Sequence, residues 1–415
     1  MIKVNQITTL ALLLIGSLFT SIEGQTTAGG DQEPTTAQML IARQDGLASA
    51  AAPLGVKLSW RQNYGSNEIR RAWLRGDTIL MESWNSTKRR YEMLSADVTK
   101  GGRLNWIVAI GAHRLARPPH IGRGSITFLT DSDSGMIVVD ENGSRIHSRL
   151  RTRLGVIPAS DAQSTSDTIF VGNYLAQRLV AASADNGLKG WDFPIEGLCT
   201  NCPSLTHTLP TNLVICASEK GQLTALEARS SDMSAPRRAK WRRKLAGGIG
   251  ADPYMVDTKG SRPLLVVPCK DGNLYGLDAA TGTSEWILRT NRPFVSGASV
   301  AGGRVFAKNT ERMFCLDLKT GKRLWYGPGT DTSNEYKASQ LFTEPSGFET
   351  TDRVLAANDS RVFFLSGANQ IYRCNGKNGE VESAERLDAF DFFLTNGATG
   401  ELILGTRDGN FLAFK

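Results

Sequence analysis

The chain has 415 residues, 40% of them hydrophobic and 21% charged, which excludes a polytopic membrane protein and a disordered chain and points to a soluble globular fold. Its 42 glycines against 15 prolines lack a Gly-x-y period, so collagen is excluded, and six cysteines are too few for a disulfide scaffold. The net charge of +7 is uneven: residues 55–153 hold 17 Lys and Arg against 9 Asp and Glu, whereas residues 252–415 hold 19 against 20.

At the N-terminus Lys3 precedes the apolar run Leu10–Phe19, followed by small residues up to Gly24. Residues 1–24 therefore read as a secretory signal peptide, with retention as a signal anchor as the alternative. No cysteine follows the run until Cys199, so a lipid anchor is not expected. Residues 25–55, rich in Thr, Ala, Gly, Gln and Ser, read as a flexible linker outside the core.

From there the chain repeats. Asp278, Thr281, Gly282 and Trp286 recur in the same register as Asp317, Thr320, Gly321 and Trp325. Looser copies place acidic or Asn anchors at 97, 140, 185, 227 and 375, so that together with 278 and 317 the anchors are spaced 39 to 58 residues apart, which is the size of a four-stranded propeller blade. Within one unit, Pro263–Pro268 reads as a buried strand, Lys270–Asn273 as a hairpin and Leu274–Leu277 as the next strand. Asp278 and Thr281-Gly282 then close a second turn, the carboxylate accepting backbone N–H groups and Gly supplying positive φ. Trp286 falls on the outermost strand, where its ring is placed to pack on the neighbouring blade.

The last unit, Leu402–Lys415, stops before an outermost strand, and Val56–Arg61 has the Trp-bearing pattern of one without a blade of its own. Pairing the two ends closes a ring. The expectation is an all-β, eight-bladed β-propeller of four-stranded antiparallel blades over residues 56–415.

The Asp-x-x-Thr-Gly-x-x-x-Trp segments at 278–286 and 317–325 resemble the pyrroloquinoline-quinone-type propeller repeat. The resemblance implies one of two roles: a quinone-dependent dehydrogenase, or a non-enzymatic envelope propeller similar to the periplasmic scaffold of the outer-membrane β-barrel assembly machinery. The chain lacks the adjacent Cys-Cys pair of many such dehydrogenases and a Cys-x-x-Cys-His haem motif. No cofactor and no catalytic residue are therefore expected.

Motifs that carry chemistry are sparse. There are four histidines, and no His-Glu-x-x-His, Walker loop or Gly-x-Ser-x-Gly elbow. Asp131-Ser-Asp133-Ser-Gly135 aligns with the repeat's hairpin and reads as a turn rather than a calcium loop. Cys199 and Cys202 suggest a local loop disulfide in an oxidising compartment, a metal site being the alternative, while Cys216, Cys269, Cys315 and Cys374 read as small buried hydrophobes. Two basic stretches read as charged outer edges or as a surface for an anionic partner: Arg145, Arg149, Arg151 and Arg153, with His147 on the same face, and Arg237, Arg238, Lys240, Arg242, Arg243 and Lys244.

Together these features predict an exported, non-catalytic, monomeric scaffold of the bacterial periplasm or cell envelope. Its partner is expected to be an envelope protein or an anionic polymer, not nucleic acid, with no stable membrane insertion. The loops and the channel mouth are the expected recognition surface, and the alternative is a quinone-dependent oxidoreductase.

Overall fold

The computed structural model describes residues 35–65, 67–122, 125–129, 135–140, 142–143, 152–153, 156–165, 167–184, 188–228, 238–257, 261–327, 353–366, 369–396 and 399–415. The predicted signal peptide, the Asp131-Ser-Asp133-Ser turn, Arg145, His147, Arg149, Arg151 and Arg237 lie outside them.

Eight antiparallel sheets of four strands each form a β-propeller. Blade 1 is β2 (Glu68–Arg75), β3 (Thr78–Asn85), β4 (Arg90–Asp97) and β5 (Arg103–Gly111); blade 2 is β6 (His120–Ile121), β7 (Ser125–Leu129), β8 (Gly135–Asp140) and β9 (Thr152–Arg153). Blade 3 is β10 (Gln163–Ser164), β11 (Thr168–Asn173), β12 (Arg178–Ser183) and β13 (Lys189–Pro194); blade 4 is β14 (Ser204–Leu205), β15 (Leu213–Ala217), β16 (Gln222–Glu227) and β17 (Trp241–Lys244). Blade 5 is β18 (Tyr254–Val256), β19 (Leu264–Pro268), β20 (Asn273–Asp278) and β21 (Ser284–Arg289); blade 6 is β22 (Ser299–Ala301), β23 (Arg304–Lys308), β24 (Met313–Asp317) and β25 (Arg323–Gly327). Blade 7 is β26 (Arg353–Ala357), β27 (Arg361–Ser366), β28 (Gln370–Asn375) and β29 (Val381–Arg386). Blade 8 joins the chain ends: β30 (Phe392–Leu394), β31 (Leu402–Gly405) and β32 (Asn410–Phe414) are completed by β1 (Leu58–Asn63).

The closure is a regular antiparallel ladder, with Trp60 opposite Ala413 and Gln62 opposite Phe411. It is extended by reciprocal bonds between Lys57 and Lys415, N–H to O at 2.8 and 2.9 Å. The middle strands are buried on both faces, so β15, β19 and β31 read as continuous apolar runs rather than alternating ones, and β32 does so after Asn410.

Neighbouring blades meet through tryptophan and glycine. Trp286 donates its Nε1–H to Leu318 O at 3.0 Å, and Trp325 donates to Gly376 O at 3.2 Å. Each ring lies over the turn glycine of the next blade, so that a methyl group on Gly321 would sit 2.5 Å from Trp286 and one on Gly379 2.4 Å from Trp325. Trp241 does the same with Ala279 O and Gly282. Within the turns, Asp278 Oδ1 accepts from Ala280 N, and Asp317 Oδ1 accepts from both the N–H and the hydroxyl of Thr320. Those hydrogen bonds hold the Asp317 carboxyl below the usual carboxylate range.

The expected flexible linker over 25–55 is corrected where the structure describes it. Helix α1 (Thr36–Ala51) and a 3₁₀ turn at Ala52–Leu54 occupy that stretch. The chain divides into a unit ending at Arg43 and a compact unit of Gln44–Lys415. In the first, Thr35 Oγ1 accepts from Gln38 N and Gln38 Oε1 from Thr35 N, a reciprocal cap that starts the helix. In the second, Leu47, Ala51 and Leu54 are buried with Leu355, Phe390, Leu402 and Phe414. Sparse apolar residues made this stretch look like a tether. Leu47 and Ala51, one turn apart on the helix, and Leu54 in the turn beyond it are buried instead, while Met39 and Ile41 stay exposed, and burying each leucine contributes about 1.5–3 kcal/mol.

Candidate interaction site

The first strands of successive blades neighbour one another, β6 beside β10, β10 beside β14 and β14 beside β18. In blades 2 to 5 these strands are short, so the chain entering them is irregular and its polar side chains bond to the adjacent blade. From blade 2, Arg117 Nη2 donates to Pro158 O at 3.3 Å and Ala159 O at 2.7 Å, and His120 Nε2 accepts from Ser164 N at 2.9 Å. Accepting there requires a neutral imidazole, and burial together with the Arg75 charge brings its pKa down to about 4. Gln163 Nε2 of blade 3 donates to Cys202 Sγ of blade 4 at 3.4 Å, and Cys202 N donates to Asp252 Oδ1 of blade 5 at 2.8 Å.

Two carboxyls on this wall have their pKa values raised, and the charge of one acts on the other. Burial, reinforced by the charge of Asp252, pushes Asp161 up to about 6, against the opposing pull of Arg75 and Arg117. Asp252 is also raised by burial, although it accepts the Cys202 N–H. Burial and both carboxylates push the Cys202 thiol up as well, which keeps it protonated and unreactive at neutral pH.

The same segment leads outward to an apolar surface. Ile157, four residues before Asp161, accepts the Tyr174 N–H at 2.9 Å. Tyr174 and Leu175 form the tip between β11 and β12, fixed by Leu175 N to Asn173 Oδ1 at 3.1 Å and closed by Gln177 at a φ of 49°. Ile157, Tyr174 and Leu175 are 50%, 53% and 73% exposed. Equivalent turns in other blades carry Lys220-Gly221, Asp271-Gly272 and Asp408-Gly409, so apolar residues here are a departure from the repeat. A fixed apolar turn facing solvent is the form of a protein docking surface.

The residues singled out in the sequence lie elsewhere. Asp278, Thr281, Gly282, Trp286, Asp317, Thr320, Gly321 and Trp325 sit at turns and blade seams. The expected Cys199–Cys202 bridge is corrected: Cys199 is bonded to Cys216 of β15, with Cα atoms 6.6 Å apart, and Cys202 is a free thiol. Spacing favoured the local pair, but Cys199 is fully buried beside β15, whereas Cys202 turns toward Gln163.

In the basic stretch, Arg238 is exposed, Lys240 pairs with Glu227, and Lys244 pairs with Glu196 at 2.9 Å. Arg242 lies over the Phe193 ring at 5.5 Å, and Arg243 bonds Gly282 O and Ser284 Oγ in the next blade. Arg153 is placed on β9. Much of the 238–244 charge is therefore engaged within the protein. No group of three metal-ligating side chains is found among the described residues.

The family profile described as outer membrane protein assembly factor BamB matches residues 176–414. The chain belongs to that family. No curated protein matches it by sequence. Among solved structures it is similar to BamB from Moraxella catarrhalis, with a TM-score of 0.59 and 13% identity over 87% of this chain and 97% of that one. It is similar to the C-terminal WD40 domain of Sif2, at 0.54 and 12% over 86% and 99%. It is also similar to the quinohemoprotein alcohol dehydrogenase ADHIIG from Pseudomonas putida HK5, at 0.52 and 12% over 87% and 76%. At such identities the three likenesses show the propeller fold. No helix among the described residues is long and apolar enough to cross a membrane.

Proposed function

We propose that this chain is an exported, non-catalytic scaffold that holds a protein partner of outer-membrane assembly in the cell envelope, and that it does so through Ile157, Tyr174 and Leu175. The observation that carries the reading is the apolar turn itself. Its backbone is tied down by hydrogen bonds while its side chains face solvent, so little ordering entropy remains to be lost on docking. Membership of the BamB family supports the partner class. The engaged lysines of the 238–244 stretch favour a protein over an anionic polymer.

The test places a photo-crosslinking amino acid at Leu175 of the full chain in cells that make it, with Leu175→Arg as the variant for affinity capture. The expected result is an adduct with an outer-membrane assembly protein and loss of capture by Leu175→Arg at an unchanged melting temperature. Capture unaffected by Leu175→Arg overturns the surface assignment. Uptake of pyrroloquinoline quinone with Ca²⁺, accompanied by substrate-dependent dye reduction, overturns the scaffold reading in favour of a dehydrogenase.

A further inference from the structure

The outermost strands of the propeller are guarded by charge in every blade but the first. β1, β9, β13, β17, β21, β25 and β29 are two to six residues long, and each carries at least one Lys, Arg, Asp or Glu. β5 is nine residues long, and from Leu104 to Gly111 it holds no charged side chain. Shortness and charge are the usual means by which an edge strand is kept from pairing with another chain. Beyond Arg103, β5 has neither.

The rest of the blade holds this strand in place. One edge of β5 is paired with β4, from Tyr91 opposite Gly111 to Asp97 opposite Arg103, and no strand lies beyond the other edge among the described residues. Trp106, Val108 and Ile110 are buried with Leu80, Ile126 and Val139, and a methyl group on Gly143 of blade 2 would sit 2.6 Å from the Trp106 ring. Strand alternation then turns Ile107 to the opposite face, where it is 51% exposed. Leu104, beyond the bulge opposite Ser95 and Ala96, is 38% exposed. A fixed strand rich in β-branched and aromatic residues thus presents an apolar, uncharged edge.

We propose that β5 pairs antiparallel with β5 of a second copy of this chain, joining two propellers edge to edge where the sequence suggested a monomer. The strand is complementary to itself. With the two-fold axis at Ile107, that residue faces its own counterpart, Asn105 faces Ala109 of the second copy, and Arg103, the one charge of the strand, faces Gly111. Like charges directly opposite each other destabilise a ladder, and this register has none. A two-fold axis uses up both open edges, while the charges on the other outermost strands stop growth beyond two copies. A nine-residue ladder is about 30 Å long but a small interface, so the dimer is expected to be weak, with a Kd of about 1–100 μM. The pairing does not depend on the blade 3 docking surface, which a dimer would carry twice.

The experiment is sedimentation velocity on the protein purified from cells that make it, at loading concentrations from about 1 to 100 μM. The expected result is a concentration-dependent shift from one copy to two. Ile107→Lys sets two ammonium groups opposite each other at the axis and should weaken dimerisation by about tenfold or more, at an unchanged melting temperature because the native side chain already faces solvent. Leu175→Arg should leave the dimer as it is. Register is read separately by mild oxidation with copper phenanthroline in air: Ile107→Cys should give a disulfide-linked dimer, whereas Ala109→Cys, opposite Asn105, should not. A single copy at every concentration overturns the proposal, as does a dimer that survives Ile107→Lys or is abolished by Leu175→Arg. Equal crosslinking of Ile107→Cys and Ala109→Cys overturns the self-pairing register and the proposal with it.

Discussion

Substituting at the Trp286–Gly321 seam tests whether adjacent blades are held by tryptophan docking. Trp286 is 7% exposed, donates to Leu318 O at 3.0 Å and lies where a Gly321 methyl would be 2.5 Å from its ring. Trp286→Ala removes the packing and the bond together and should cost about 3–5 kcal/mol. Trp286→Phe keeps most of the ring but leaves the Leu318 carbonyl unpaired, a loss of about 1–3 kcal/mol. Gly321→Ala suffers twice, from a φ of +64° that costs about 1–2 kcal/mol and from collision with the ring. In the Trp286→Ala background the collision is gone and only the backbone cost remains. The double variant should therefore be more stable than the sum of the single costs implies, by about 1–2 kcal/mol, in urea unfolding followed by far-ultraviolet circular dichroism. Strictly additive costs would refute the docking geometry.

Asp161 gives a pH prediction of unusual sign. Its folded pKa is raised from 3.8 to about 6, so the folded state binds the proton more tightly, and the stability this supplies is present below pH 3.8 and lost as the pH rises through 6. Asp161→Asn should match the unmodified chain near pH 4 and exceed it at pH 7.5 by up to about 3 kcal/mol. A variant equally destabilised at both pH values would contradict the assignment. At the chain ends, Leu47→Asp should destabilise the propeller by about 2–5 kcal/mol in thermal unfolding, because it puts a charge into a core site that is 2% exposed. Deleting residues 58–63 should abolish cooperative unfolding altogether, since it removes β1 from blade 8. A neutral Leu47→Asp would return the helix to the status of a tether.

The propeller was legible because its framework is written in residues with single physical jobs. Asp278 binds its own turn, Gly282 takes positive φ, and Trp286 fills the seam with the next blade, so a repeat of these residues is a repeat of geometry. Closure was legible for a related reason, since Trp60 marks Val56–Arg61 as an outermost strand, and that strand pairs with β32. Trp60 lies over Gly102 as Trp286 lies over Gly321, yet its buried Nε1 has no partner among the described residues, whereas Trp241, Trp286 and Trp325 each donate to a carbonyl of the next blade. The helix was missed because its stabilisation is tertiary. Leu47, Ala51 and Leu54 acquire their burial from blades 7 and 8, far away in sequence.

The candidate interaction site is the complement of that framework, which is why so little of it could be read in advance. Asp161, Cys202 and Asp252 sit in irregular entries to inner strands, where the repeat imposes no residue type and three-dimensional proximity alone brings them together. Nothing in the spacing of positions 161 and 252 says that the charge of one carboxyl acts on the other, or that Arg75 and Arg117 from two other blades oppose it. Cys199 misled for the same reason: the nearest cysteine in sequence is Cys202, while the nearest in space stands on β15. One signal did exist. Where sister turns show Lys220-Gly221 and Asp271-Gly272, the third blade shows Tyr174-Leu175, a substitution of bulk for turn propensity that costs local conformational ease and yields an exposed apolar surface. In a repeat protein the positions that depart from the framework at a stability cost are the ones whose retention calls for a function, and here the departure of blade 3 and the raised pKa of Asp161 lie within the same connected strand entry.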